Sequence, residues 1–102
     1  MKVGQINNIN ETKIADFFKA IAHPTRIKIV KTVYQNDFCV NDISEQLKLN
    51  QPNTSQHLAI LKEKNILVKI KKGNEVCYKV KDPAVIKLIE EAADLIKKLS
   101  SE

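Results

Sequence analysis

With 102 residues, 17 Lys plus Arg against 12 Asp plus Glu, and a formal charge of +5, the chain is long enough for one compact domain and seldom two. Hydrophobic residues make up 43% of it, too many for a disordered chain. Only 5% are aromatic and only two are Gly, which disfavours sandwiches and barrels of many short strands and leaves a mainly α chain without a Gly-rich phosphate loop.

No stretch approaches the ~18 apolar residues of a membrane span. The expectation is a cytoplasmic protein with a single domain over 1–102, residues 1–10 being a flexible extension. The positive balance suits an anionic polymer as partner, and equally a basic protein without one.

Asn10 suits an N-cap, and Ile14, Phe17, Phe18 and Ile21 recur at i, i+3, i+4 and i+7, the spacing of an amphipathic first helix. His23-Pro24 ends it, since Pro disfavours helical geometry at the residue before it and fits the first turn of a following helix. The second helix is expected from Pro24 to about Gln35, with Ile27, Val30, Val33 and Tyr34 inward. Asn36-Asp37 marks a turn. Phe38-Cys39-Val40 reads as a short β-like piece, ending at Asn41 as N-cap of a short third helix held by Ile43 and Leu47.

Asn50-Gln51-Pro52 starts a fourth helix whose inward stripe is Thr54, Leu58 and Leu61. Its opposite face, Pro52, Asn53, Ser55, Gln56 and Ala59, is polar, short and nearly uncharged, where a solvated face would be rich in Lys and Glu. Two readings fit. Asn and Gln pair bidentately with adenine in a major groove and Ser reaches bases or phosphates, or else small polar residues merely cluster near a helix start.

Two strand-like stretches follow, Leu67–Lys71 and Glu75–Val80, joined by the hairpin signal Lys72-Gly73-Asn74. Lys69, Lys71, Lys72 and Lys79 lie along this hairpin, placed to meet phosphates or an adjacent minor groove. Any one of them could instead guard an edge strand, a reading that leaves the order of elements unexplained. Asp82-Pro83 opens a last helix in which Val85, Leu88, Ala92, Leu95 and Leu99 alternate steps of three and four, widened by Ile89 and Ile96. Such a stripe exceeds what one small globule must cover, so a second copy of the chain is the economical partner.

Ala22 to Val30 (AHPTRIKIV), Phe38 to Ile43 (FCVNDI), Gln51 to Leu58 (QPNTSQHL) with Leu61-Lys62, and the hairpin with Tyr78 together resemble the ArsR/SmtB family of winged helix-turn-helix repressors, over about Ile14 to Leu99. The resemblance implies five helices with a β-hairpin wing. It implies a homodimer joined through the first and last helices, here Phe17, Phe18, Leu88, Ala92, Leu95 and Leu99, and two reading helices in successive major grooves of a palindromic operator in double-stranded DNA. Gln51, Asn53, Thr54, Ser55 and Gln56 would face that DNA, with Lys62, Lys71, Lys72 and Asn74 beside them.

Members of the family are usually released from DNA by an inducer, often a metal. The family's arsenic-type site reads Cys-Val-Cys-Asp, but this chain has Cys39-Val40-Asn41-Asp42 and so lacks one thiolate. A zinc-type site on the last helix needs His, and no His follows His57. No metal and no cofactor are therefore expected, and Asp82 reads as a cap. His57 reads as a partly buried hydrogen-bonding residue and His23 as a helix boundary.

Cys39 and Cys77 are too few for a disulfide framework and default to free thiols. By the resemblance Cys39 lies on a third strand beside that of Cys77. Alternation turns Val76, Tyr78 and Val80 to one face with Cys77 on the other, and Phe38 and Val40 inward with Cys39 outward. The two thiols could then be neighbours and respond to a redox or thiol signal, or be unrelated small side chains. Nothing assembles a nucleophile, an oriented base and a pocket, so catalysis is not expected. Three functions remain open: a repressor with an inducer, a constitutive repressor, and a winged-helix interaction module that does not read sequence.

Overall fold

The computed structural model describes residues 10–36 and 38–101. The expected extension, apart from Asn10, and Asp37 of the expected turn lie outside them. The elements run α1 (Glu11–Ile21), α2 (Pro24–Gln35), β1 (Phe38–Cys39), α3 (Val40–Leu47), α4 (Gln51–Glu63), β2 (Leu67–Lys72), β3 (Glu75–Val80) and α5 (Ala84–Ser100).

Local chemistry sets most of the boundaries. Asn10 Oδ1 accepts from the Lys13 N–H at 3.0 Å, capping α1. His23 Nδ1 accepts from the Thr25 N–H at 3.1 Å while Pro24 opens α2, so the His-Pro pair both stops one helix and starts the next. The third helix starts earlier than expected. Val40 is already helical and Cys39, not Asn41, stands at its N-cap, with Asp42 Oδ2 accepting from the Cys39 N–H at 3.4 Å. At α5 the Asp82 side chain accepts from the Ala84 N–H at 2.9 Å, and Pro83 has taken up helical dihedrals ahead of the first assigned turn.

A three-stranded antiparallel sheet has the order β1-β3-β2, with Phe38 opposite Tyr78, Cys39 opposite Cys77, and Leu67 to Lys72 opposite Val80 to Glu75. Gly73 takes φ 61° in the two-residue loop of the hairpin, a conformation that costs a residue without Cβ nothing.

The core is drawn from α1 to α4 and the sheet: Ile21, Ile29, Val30, Val33, Ile43, Leu58, Leu61, Ile66, Leu67 and Tyr78 are buried. Each large aliphatic side chain fully withdrawn there contributes about 1.5–3 kcal/mol. Tyr34, expected inward, is 51% exposed, and Ile29 takes its place at 0%. Val30 and Val33 stay inward and Ile27 packs partly on the core, so the buried stripe of α2 is turned by less than one residue step from the expected one, which the run of apolar residues 27, 29, 30, 33 and 34 allows.

The cysteines also depart from expectation. Cys39 is buried rather than outward and Cys77 is fully buried; of the two readings left open, the structure has the neighbours, Cys39 lying opposite Cys77 and joined to it by a disulfide instead of both remaining free thiols. β3 is the central strand and α3, leaving β1 at once, packs on it, so both faces of β3 are covered at Cys77 and Tyr78.

Candidate nucleic-acid interface

α3 and α4 form a helix-turn-helix whose turn is three residues, Lys48-Leu49-Asn50. Lys48 is left-handed, at φ 55°, and its N–H and that of Leu49 close the end of α3 on Glu45 O (3.2 Å) and Ser44 O (2.9 Å). Asn50 Oδ1 then accepts from the Asn53 N–H at 2.8 Å and Pro52 fits the first turn of α4. Ser44 Oγ donates to Thr54 Oγ1 at 2.9 Å, and Thr54 Oγ1 donates to the Asn50 carbonyl at 2.9 Å.

Thr54 is therefore not a DNA-facing residue. It is 0% exposed, one step along the stripe that buries Leu58 and Leu61, and its hydroxyl is spent inside the motif. Its neighbours in the resemblance behave otherwise, since Gln51, Asn53, Ser55, Gln56 and Lys62 are all exposed on α4. Across from them the wing tip presents Lys71, Lys72 and Asn74, also exposed, with Lys69 and Lys79 further down the strands. A cleft of about 280 Å³ separates the two elements, lined by Gln51 and Ser55 on one side and Asn74, Glu75 and Val76 on the other, with Cys39, Val40 and Asn41 beside them.

One anchor of α4 has no local signal in the sequence. Arg26 Nε donates to His57 Nδ1 at 3.1 Å, and Arg26 Nη1 to the carbonyls of Ala20 (3.2 Å) and Lys19 (3.4 Å), pinning α4 to the α1–α2 junction. The His23 and His57 rings lie 4.7 Å apart. Burial, then the neighbouring His23 and Arg26, hold the His57 pKa below its ordinary value.

The remaining expected residues lie away from this surface. α5 packs on the core through Val85, Ile86 and Ile89, and buries none of its residues fully. Leu88, Leu95, Ile96 and Leu99 stay exposed along it, Leu99 at 75%. On α1, Phe18 and Ile14 are exposed, while Phe17 packs partly on the core and edge-on to Phe18. Among the described residues no three of His, Cys, Asp and Glu are grouped to hold a metal ion, and no helix is long and apolar enough to cross a membrane.

Residues 23–69, from the cap of α2 to the first wing strand, match the profile described as bacterial regulatory protein, arsR family. A helix-turn-helix-type transcriptional regulator of Methanocaldococcus jannaschii is 41% identical over 83 residues, covering 78% of this chain and 93% of that protein. The biofilm growth-associated repressor of Agrobacterium fabrum is 30% identical over 79 residues, covering 78% of this chain and 68% of that one. The crystal structure of Rv0081 from M. tuberculosis superposes with a TM-score of 0.77 at 28% identity, over 83% of this chain and 86% of that one.

Proposed function

The chain belongs to the ArsR family of winged-helix DNA-binding transcriptional regulators, and from that premise we propose that it is a cytoplasmic homodimeric repressor without enzymatic activity, reading a palindromic operator. The observation that carries this reading is the outward face of α4. Asn53, Ser55 and Gln56 stand exposed on a helix whose other side is locked into the core, beside a wing that ends in Lys71, Lys72 and Asn74. Short amides and hydroxyls read base edges, while lysines neutralise phosphates without reading them.

The second copy follows from α5. A row of leucines and Ile96 left in water on a 17-residue helix is a cost that pairing with the same row of a second protomer removes. Two protomers related by a two-fold axis place two copies of α4 about one helical turn of DNA apart, which is why the proposed operator is a palindrome.

The direction of control, repression, agrees with the name of the Agrobacterium relative. The test is selection of duplexes from a random pool. The reading expects an enriched palindrome bound at least a thousandfold more tightly than random DNA, with affinity falling steeply as salt rises. Binding of equal strength to all sequences would instead favour an interaction module that uses the basic wing alone.

A further inference from the structure

The Cys39–Cys77 disulfide ties the last residue of β1, at the entrance to α3, to the middle of the central strand of the wing sheet. Its two sulfur-bearing residues differ in access. Cys77 is 0% exposed, whereas Cys39 keeps 8% and lines the cleft between α4 and the wing tip. Of the two residues, Cys39 is thus the one that borders the cleft between the two elements assigned above to DNA. The cleft, about 280 Å³ and open to solvent, has room for a small adduct.

We infer that Cys39 is a site of reversible exchange with low-molecular-weight thiols, and that a group attached there weakens operator binding. A thiolate RS⁻ entering the cleft attacks the Cys39 sulfur. The Cys39–Cys77 bond breaks, a bond between R–S and Cys39 forms, and Cys77 departs as a thiolate that takes up a proton. The reverse step restores the starting state, because the Cys77 thiolate, held opposite Cys39 by the β1–β3 register, attacks Cys39 and expels RS⁻. From the dithiol the same adduct forms with a small disulfide RSSR, Cys39 thiolate attacking and RS⁻ leaving.

The adduct acts on DNA binding by its place. It lies against Gln51 and Ser55 on one wall and Asn74 on the other, so it fills the gap between α4 and the wing tip and changes the surface they present to DNA. Two half-sites docked at a fixed spacing depend on that surface in both protomers. The effect on DNA rests on the repressor reading above; the exchange chemistry does not.

The experiment uses the unmodified chain and a duplex it has selected from a random pool. Affinity is measured before and after incubation with cysteamine and cystamine, and the modified residue is located by peptide mass analysis after acid quench. The expected result is one cysteamine on Cys39, a free thiol at Cys77, and a tenfold or greater loss of affinity that reverses when the small thiol is removed. Cys39→Ser should take no adduct and keep its affinity through the treatment; Cys77→Ser should take the adduct and fail to shed it unaided. First labelling at Cys77, exchange only in denaturant, or an adduct on Cys39 with unchanged affinity would each overturn the inference. Failure of the repressor reading shows itself separately, as a chain that selects no duplex before any thiol is added, and the adduct map still decides the exchange site.

Discussion

The Ser44 hydroxyl on α3 donates to the Thr54 hydroxyl on α4 at 2.9 Å, wholly inside the protein, and Thr54 passes the chain on to the Asn50 carbonyl. Two helices that must keep a fixed angle to present one face to DNA are thus joined by a buried polar link. Thr54→Val keeps the shape and removes the hydroxyl, leaving Ser44 without its acceptor. It should cost about 1–3 kcal/mol in urea unfolding. Ser44→Ala should cost less, because Thr54 keeps its bond to Asn50, and the double variant should cost less than the sum of the two. Additive losses would show that the link is not a coupled pair.

Leu95 is 53% exposed within one protomer, so a charge placed there disturbs little of the protomer's own core. Leu95→Glu should yield a folded monomer by sedimentation and lose operator affinity, because in a paired α5 the charge would be buried without a partner. A stable monomer for the unmodified chain would remove the dimer reading.

Gln56→Ala and Asn53→Ala should each weaken binding to the selected palindrome by about 1–3 kcal/mol and leave binding to random duplex nearly unchanged. Lys72→Ala should weaken both alike and reduce the slope of log affinity against log salt by about 1. Equal losses on every sequence for Gln56→Ala would take it out of base reading.

Burial, then the neighbouring His23 and Arg26, lower the His57 pKa, so its folded-state value lies below its unfolded value. The unfolded chain therefore takes up the proton more readily, and the contribution of this contact is intact above pH 6.5, the ordinary value, and lost as pH falls below it. The melting temperature should drop between pH 7.5 and pH 5, with a smaller drop for His57→Gln. Protonation also turns Nδ1 from acceptor to donor and breaks the bond from Arg26, so identical pH profiles for the two proteins would refute this account.

Lys48 holds a left-handed conformation at the end of α3. Lys48→Gly should raise stability by about 0.5–1 kcal/mol, the relief of the Cβ clash exceeding the entropy that Gly adds to the unfolded chain. A loss in urea unfolding would mean that the lysine stem packs on the turn.

Much of the architecture was legible because the signals are local. Caps at Asn10 and Asn50, prolines at 24 and 52, the hairpin glycine and the spacing of Thr54, Leu58 and Leu61 each act within one turn of helix or strand. The same stripe placed Thr54 inside, against the resemblance that put it on DNA. What failed depended on distance or on phase. Arg26 meets His57 across 31 residues with nothing in either neighbourhood to announce it, and Cys39 meets Cys77 across 38, a pairing that the resemblance left open and strand alternation alone could not decide. In α2 five apolar residues leave the inward direction open by about one position, and only packing against α3, α4 and β3 turned Ile29 in and Tyr34 out.

The two-residue length of β1 bears on the order in which the chain assembles. While Cys39 and Cys77 are still thiols, the β2–β3 hairpin closes over two residues, whereas pairing Phe38 with Tyr78 closes a loop of about forty, at a greater entropic cost and for only two residue pairs in return. Helices and hairpin therefore form first, and the short strand docks last, onto a sheet already made. In folding kinetics, φ-values near zero at Phe38 against higher ones at Val68 would be its mark. With the Cys39–Cys77 bond reduced, a strand that arrives last is also the first to leave, so the edge of the wing sheet then opens at a free energy below that of global unfolding and its amides exchange hydrogen ahead of those shared by β2 and β3.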